Sequence, residues 1–154
     1  MSMHQPRLTG PADLDRIIPL YRELNPDDPR PSRGRMTECW EEICANPSVD
    51  VVVIEHENII VSMCMLAVVP NLSRGARPFG VIENVVTLEA FRRCGFGRAC
   101  LEHALDLAAE HDCYKVMLQT GTQQEWKLAF YESCGFDRCT KTAFEYRFKT
   151  AREA

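Results

Sequence analysis

The chain has 154 residues, 45% of them hydrophobic and 26% charged, which is the size and composition of one globular domain able to bury a core and excludes a disordered or collagen-like chain. Its longest apolar stretch, the eleven residues Ile59 to Val69, falls short of the ~20 that a bilayer span needs, and the first seven residues hold no apolar signal core. The expectation is therefore a cytosolic protein with no transmembrane helix, and a net charge of −4 argues against a broad nucleic-acid-binding face.

The first expected helix runs from Ala12 to Leu24, where Ile17, Ile18, Leu20, Tyr21 and Leu24 form a helical apolar stripe. Asp13 and Asp15 favour its N-terminal dipole, and Pro19 should bend or shorten it. Asn25 to Arg35 carries three prolines and three arginines and reads as an exposed loop able to meet an anion. Thr37 is expected to cap a short helix through about Ala45, with Trp40, Ile43 and Cys44 on one face. Asp50–Glu55 and Asn58–Val69 are β-branched runs joined by the polar turn at His56–Asn58, an antiparallel hairpin.

Gly80 to Thr87 is a further strand, with Glu83 and Asn84 as polar residues in mid-run. Cys100, Leu101, Ala104, Leu105 and Ala108 recur at helical spacing between Gly97 and Asp112. Tyr114 to Leu118 reads as a short buried strand, Gln124 to Ser133 as a helix ended by Gly135, and Thr142 to Phe148 as a last alternating strand. This order predicts an α/β fold in which a β-α-β unit makes one parallel strand pair.

The eight cysteines include no Cys-x-x-Cys pair, and no two histidines lie three to five residues apart, so a zinc ribbon or finger is excluded and no metal site is expected. The cysteines are expected to be free thiols, most of them buried.

The most informative stretch is Val85-Val-Thr-Leu-Glu-Ala-Phe-Arg-Arg-Cys-Gly-Phe-Gly-Arg98, a strand followed by a basic glycine turn and a helix. Glycines at such a turn let backbone N–H groups approach a ligand, and the helix N-terminus adds about half a positive charge, so the turn is suited to an anion. Arg92, Arg93 and Arg98 surround it, the one dense basic cluster in an acidic chain. It is neither a Walker loop nor a dinucleotide fingerprint, since the third glycine of the latter would fall at Cys100.

Arg92-x-x-Gly95-x-Gly97 after a strand resembles the Arg/Gln-x-x-Gly-x-Gly/Ala signature of the GCN5-related N-acetyltransferase (GNAT) superfamily. The resemblance extends through Gly80–Val86, His111–Leu118 and Phe130-Tyr-Glu-Ser-Cys-Gly-Phe136, covering about residues 50 to 148. It implies the acyl-CoA N-acyltransferase fold over residues 1–154: a mixed, mostly antiparallel sheet with a splayed parallel pair, and helices on both faces. It further implies acetyl-CoA as the acetyl donor. Val85, Val86 and Thr87 would meet the pantetheine arm through their backbone, while Arg92, Arg93, Cys94, Gly95, Phe96, Gly97 and Arg98 would form the pyrophosphate turn. Gln124 stands where many members have an asparagine that contacts the coenzyme arm.

Amine acetylation needs a neutral nucleophile, a polarised thioester carbonyl and a proton for the leaving thiolate. Glu83, two residues before Val85 and so on the same strand face, is the expected general base, acting directly or through water with its pKa raised by burial. The backbone N–H near Val85 would polarise the carbonyl. Tyr131 matches the tyrosine that points at the coenzyme sulfur in many members and is the expected general acid. Cys134 is read as packing rather than as an acyl carrier.

The stretches around Ile82–Val86 and Cys113–Leu118 resemble glucosamine-6-phosphate N-acetyltransferases in particular, except that Gln119 replaces an acidic residue near the amine. The reading is thus an N-acetyltransferase for a small or peptidyl amine, with an amino-sugar phosphate as the alternative acceptor and a non-catalytic acyl-CoA-binding module as the other alternative. No nucleic acid or membrane partner is expected. The last strand is a possible edge for a homodimer.

Overall fold

The computed structural model describes residues 4–149, which divide into two compact units at Leu118. The first unit holds β1 (Pro6–Leu8), α1 (Leu14–Leu24), α2 (Arg33–Ala45), β2 (Val49–His56), β3 (Ile59–Val69), the single turn α3 (Ser73–Ala76), β4 (Phe79–Thr87), α4 (Phe96–Glu110) and β5 (Val116–Leu118). Its five strands lie in the order β1-β2-β3-β4-β5, antiparallel except for the β4–β5 pair. The second unit holds α5 (Glu125–Ser133).

Alternation along the strands distributes the core to two faces. Val51 and Val53 of β2, Ile60 and Met63 of β3 and Val86 of β4 pack with Ile17, Leu20 and Trp40 of α1 and α2. Val52, Ile54, Cys64, Leu66 and Ile82 are equally buried, and Cys64 meets α4, its Sγ 3.6 Å from the Cys100 carbonyl. The β2–β3 hairpin turns on Glu57 and Asn58, both at positive φ (49° and 65°), as a tight two-residue hairpin demands.

Pro19 sits inside α1, on an exposed position, without ending the helix. The second helix begins earlier than expected. Ser32, not Thr37, is its N-cap, accepting from the Arg35 N–H at 3.2 Å, while the Thr37 hydroxyl bonds back to the Arg33 carbonyl. The arginines of the preceding loop are accordingly helical in part, and Arg33 pairs with Asp15.

Two further expectations are corrected. No strand forms at Thr142–Phe148 among the described residues: Phe144, Tyr146 and Phe148 are 90%, 82% and 85% exposed. Alternation makes a strand only where a neighbour supplies the hydrogen-bond ladder, and none does here. The cysteines are free as expected, but only Cys64 and Cys100 are buried, while Cys39, Cys94 and Cys139 are exposed. Sulfur content tells little about burial when the cysteines fall on outward faces of helices or in turns.

A four-residue ionic cluster ties the first strand to α1 and β2. Arg7 meets Asp13 at 2.8 Å and Glu55 at 3.0 Å, and Arg16 meets Asp13 at 3.1 Å and Glu55 at 2.6 Å. The Arg7 hydrogen bond holds the Asp13 carboxyl down at about 2, against the opposing effect of burial and with help from the Gly10 N–H. No helix among the described residues is long and apolar enough to cross a membrane.

Candidate active site

The site is built where β4 parts from β5. Gly80, Val81 and Ile82 pair with Val116, Met117 and Leu118, and then β5 ends while β4 continues through Thr87. Within the first unit the β5-side edge of Glu83–Thr87 is therefore left without a ladder partner. Gly80 allows the close pairing at the closed end: a Cβ there would fall 3.1 Å from both Leu66 Cδ1 and Val116 Cγ2.

On its other edge β4 carries a bulge. Met65 pairs with Glu83 and Met63 with Val86, so Cys64 faces both Asn84 and Val85. Asn84 takes up the extra residue at φ 53°, a left-handed conformation that asparagine tolerates better than most residues. The bulge re-aims the strand where a ligand's main-chain contacts are expected. It also interrupts the strict alternation by which Glu83 and Val85 were placed on one face. Tyr21 of α1, half-buried, hydrogen-bonds Asn84; burial pushes its phenol pKa up and that bond partly offsets the rise.

Glu83 is exposed, so the burial expected to tune it is absent, and its carboxylate has no hydrogen bond or ion pair among the described residues. Val86 is buried in the core, whereas Val85 and Thr87 are half-buried. The Thr87 side chain meets the buried Ser62 hydroxyl at 2.8 Å. Val86, buried, therefore offers a ligand only its main chain.

After β4 the chain turns through Glu89–Phe91 into the glycine turn. Arg93 (φ 62°) and Gly95 (φ 86°) both adopt left-handed backbone, and Gly95 precedes the first turn of α4. Alternating handedness of this kind turns successive N–H groups toward one concavity suited to an anion. The first helical hydrogen bond runs from the Ala99 N–H to the Gly95 carbonyl at 3.0 Å, and among the described residues the N–H groups of Arg93 to Gly97 meet no backbone carbonyl. These residues fit a pyrophosphate.

The three arginines separate into different roles. Arg92 braces the turn: its Nε donates to the Thr87 carbonyl at 3.0 Å and its guanidinium pairs with Glu23 of α1 at 3.0 Å. The same Glu23 carboxylate accepts the Glu89 N–H at 3.0 Å. Arg93 is exposed and has no ion pair among the described residues, while Arg98 lies 3.8 Å from Glu102. Phe96 turns its ring into the protein, 4% exposed, so it offers a ligand only its backbone. Cys94 is exposed, with its thiol against the Arg92 carbonyl at 3.5 Å.

Tyr131 and Gln124 belong to the second unit. Tyr131 lies half-buried on α5, its ring 5.3 Å from Phe130 and edge-on to Phe136 at 6.4 Å. Gln124 is the exposed N-cap of α5. Sequence reasoning missed Tyr21 and Glu23 as groups that hold β4 and the turn in place. Asn84 was the available signal for the bulge, a second polar residue beside Glu83 in an otherwise apolar strand.

A mixed sheet whose parallel pair opens beside a bulge, followed by a glycine turn into a helix, defines the acyl-CoA N-acyltransferase fold. The chain belongs to the acetyltransferase (GNAT) family, whose model matches residues 17–136. Acetyl-CoA is the acetyl donor that membership in this family implies.

Among solved structures, the "Putative acetyltransferase from Agrobacterium tumefaciens str. C58" is 42% identical, with a TM-score of 0.89 over 94% of this chain and 99% of that one. The glucosamine-6-phosphate N-acetyltransferase of Arabidopsis thaliana shares the fold, with a TM-score of 0.81 at 23% identity over 94% of this chain and 99% of that one. In sequence, 77 residues are 36% identical to glucosamine 6-phosphate N-acetyltransferase of Trypanosoma brucei brucei, spanning 50% of this chain and 50% of that enzyme.

Proposed function

We propose that the protein transfers the acetyl group of acetyl-CoA to a primary amine by direct attack in a ternary complex. The observation that carries this reading is the bulged edge of β4 at Glu83–Thr87, unpaired within the first unit, running into a turn whose N–H groups at Arg93–Gly97 meet no backbone carbonyl among the described residues. Bound acetyl-CoA supplies the activated thioester. The main chain of Val85, Val86 and Thr87 orients the pantetheine arm as an added strand would lie, and the N–H near Val85 polarises the carbonyl.

Arg93, Cys94, Gly95, Phe96 and Gly97 hold the pyrophosphate through backbone N–H groups, and Arg93 and Arg98 add charge. Arg92 serves the same turn by bracing it, and Gln124 takes the place of the arm-contacting amide. Glu83 removes the amine proton, directly or through water; as an exposed carboxylate, it suits relay through water. Tyr131, placed by its motif, donates a proton to the leaving thiolate.

Amine-dependent release of free coenzyme A thiol tests this reading, with glucosamine 6-phosphate, amino acids, polyamines, aminoglycosides and N-terminal peptides as acceptors. Tight coenzyme binding without release on any amine would replace it with the non-catalytic acyl-CoA-binding module. Preference for glucosamine 6-phosphate would select the amino-sugar reading, which the 36% identity over half the chain supports. A homodimer is part of the same proposal, supported by the exposed Phe144, Tyr146 and Phe148; a monomer mass in light scattering would remove it.

A further inference from the structure

His4 lies ninety residues from the glycine turn in sequence and touches it in space. Its Nε2 is 2.7 Å from the Cys94 carbonyl oxygen, and because a carbonyl can only accept, Nε2 carries the proton and donates. The ring packs on Phe96 with centroids 4.1 Å apart, and a Cβ built on Gly95 would lie 3.7 Å from the His4 ring. His4 therefore packs against the turn from the side of the Cys94 carbonyl and the Phe96 ring.

The bonded carbonyl belongs to the Cys94–Gly95 peptide, and no peptide bond among the described residues is cis. In a trans peptide the C=O and the N–H point in opposite directions. Fixing the Cys94 oxygen on His4 thus aims the Gly95 N–H outward, into the concavity formed with the neighbouring N–H groups. Donation to the oxygen also polarises the peptide and strengthens that N–H as a donor. Arg92 restrains the other end of the turn through Thr87 and Glu23, so the two contacts clamp it from both sides.

We infer that His4 is a positioning residue for acyl-CoA, acting through the Cys94–Gly95 peptide to orient the donor that meets the pyrophosphate; this rests on the pyrophosphate placement proposed above. It gives the N-terminal segment of the chain a part in donor binding that neither the helix nor the arginines of the turn supply.

The test compares His4→Phe, which keeps a ring against Phe96 without a donor, and His4→Gln, whose amide N–H replaces Nε2. The full chain is used, tagged only at its C-terminus, and calorimetry measures affinity for coenzyme A, for dephospho-coenzyme A, which keeps the pyrophosphate, and for pantetheine, which lacks it. His4→Phe should weaken both pyrophosphate ligands by roughly three- to tenfold, leave pantetheine unchanged, and be largely rescued by His4→Gln. If His4→Phe binds coenzyme A like the wild type, or if all three ligands weaken alike, the role of His4 is refuted while the turn assignment stands. A wild type that binds coenzyme A no better than pantetheine instead overturns the pyrophosphate placement itself.

Discussion

Gly95→Ala is the perturbation whose consequences are best defined by the structure. A Cβ at this position meets nothing closer than the His4 ring at 3.7 Å, ordinary van der Waals contact, so crowding does not contribute. The cost is conformational: φ is +86°, and holding a non-glycine residue left-handed costs about 1–2 kcal/mol. If the turn keeps its shape, a chain of this size should lose about 2–8 °C in melting temperature. If the turn relaxes instead, the melting temperature recovers but the N–H groups leave the concavity, and each lost hydrogen bond to a charged phosphate is worth about 1.5–3 kcal/mol, or roughly 10- to 100-fold in affinity.

In the second case the coenzyme-induced rise in melting temperature shrinks, whereas in the first it is kept, because ligand stabilisation follows affinity and is worth about 2.7 kcal/mol at a hundredfold excess over Kd. The assay is a melting curve with and without coenzyme A, paired with calorimetry. Gly34→Ala, inside α2 with no atom within 4 Å of the new Cβ, is the control and should stabilise the protein by about 0.5–1 kcal/mol. A Gly95→Ala protein that melts like the wild type, its turn relaxed, yet binds coenzyme A as the wild type does would refute the placement of phosphate on this turn.

Three other outcomes follow from the geometry. Arg93→Ala should weaken coenzyme A by roughly three- to tenfold without moving the melting temperature, whereas Arg92→Ala should lower both, since only Arg92 ties the turn to Thr87 and Glu23; paired melts and titrations separate them. Glu83→Gln should leave coenzyme affinity unchanged and cut the rate with a reactive amine by about 10²–10⁴, read in steady-state kinetics. Asp13 should govern acid stability. Its carboxyl is lowered from 3.8 to about 2 in the folded protein, so the stabilisation is present above pH ~4 and is lost as pH falls through about 2. That shift corresponds to about 2.5 kcal/mol, and urea midpoints across this range should fall in the wild type but much less in Asp13→Asn.

The parts of the fold set by local chemistry were legible. β-branched runs around a polar turn gave the β2–β3 hairpin, and a glycine turn after a strand gave the start of α4. What could not be read depends on partners distant in sequence. The three-residue β1 exists only because β2 pairs with it, while Thr142–Phe148 has better alternation and pairs with no strand among the described residues. Arg92 and Arg93 are adjacent and chemically identical, and the folded position of Glu23 makes one a brace and leaves the other with no ion pair among the described residues. The period-two rule that aligned Glu83 with Val85 fails at a bulge that becomes visible only when β4 is set against β3.

Cys94 offers the most direct test of where the coenzyme lies. It is an exposed thiol within the turn, and Cys39 and Cys139 are exposed thiols elsewhere in the chain, so one protein carries both probe and controls. Mass spectrometry of alkylation rates with and without acetyl-CoA should show Cys94 slowed while Cys39 and Cys139 react as before. Equal rates at Cys94 under saturating coenzyme would contradict the account.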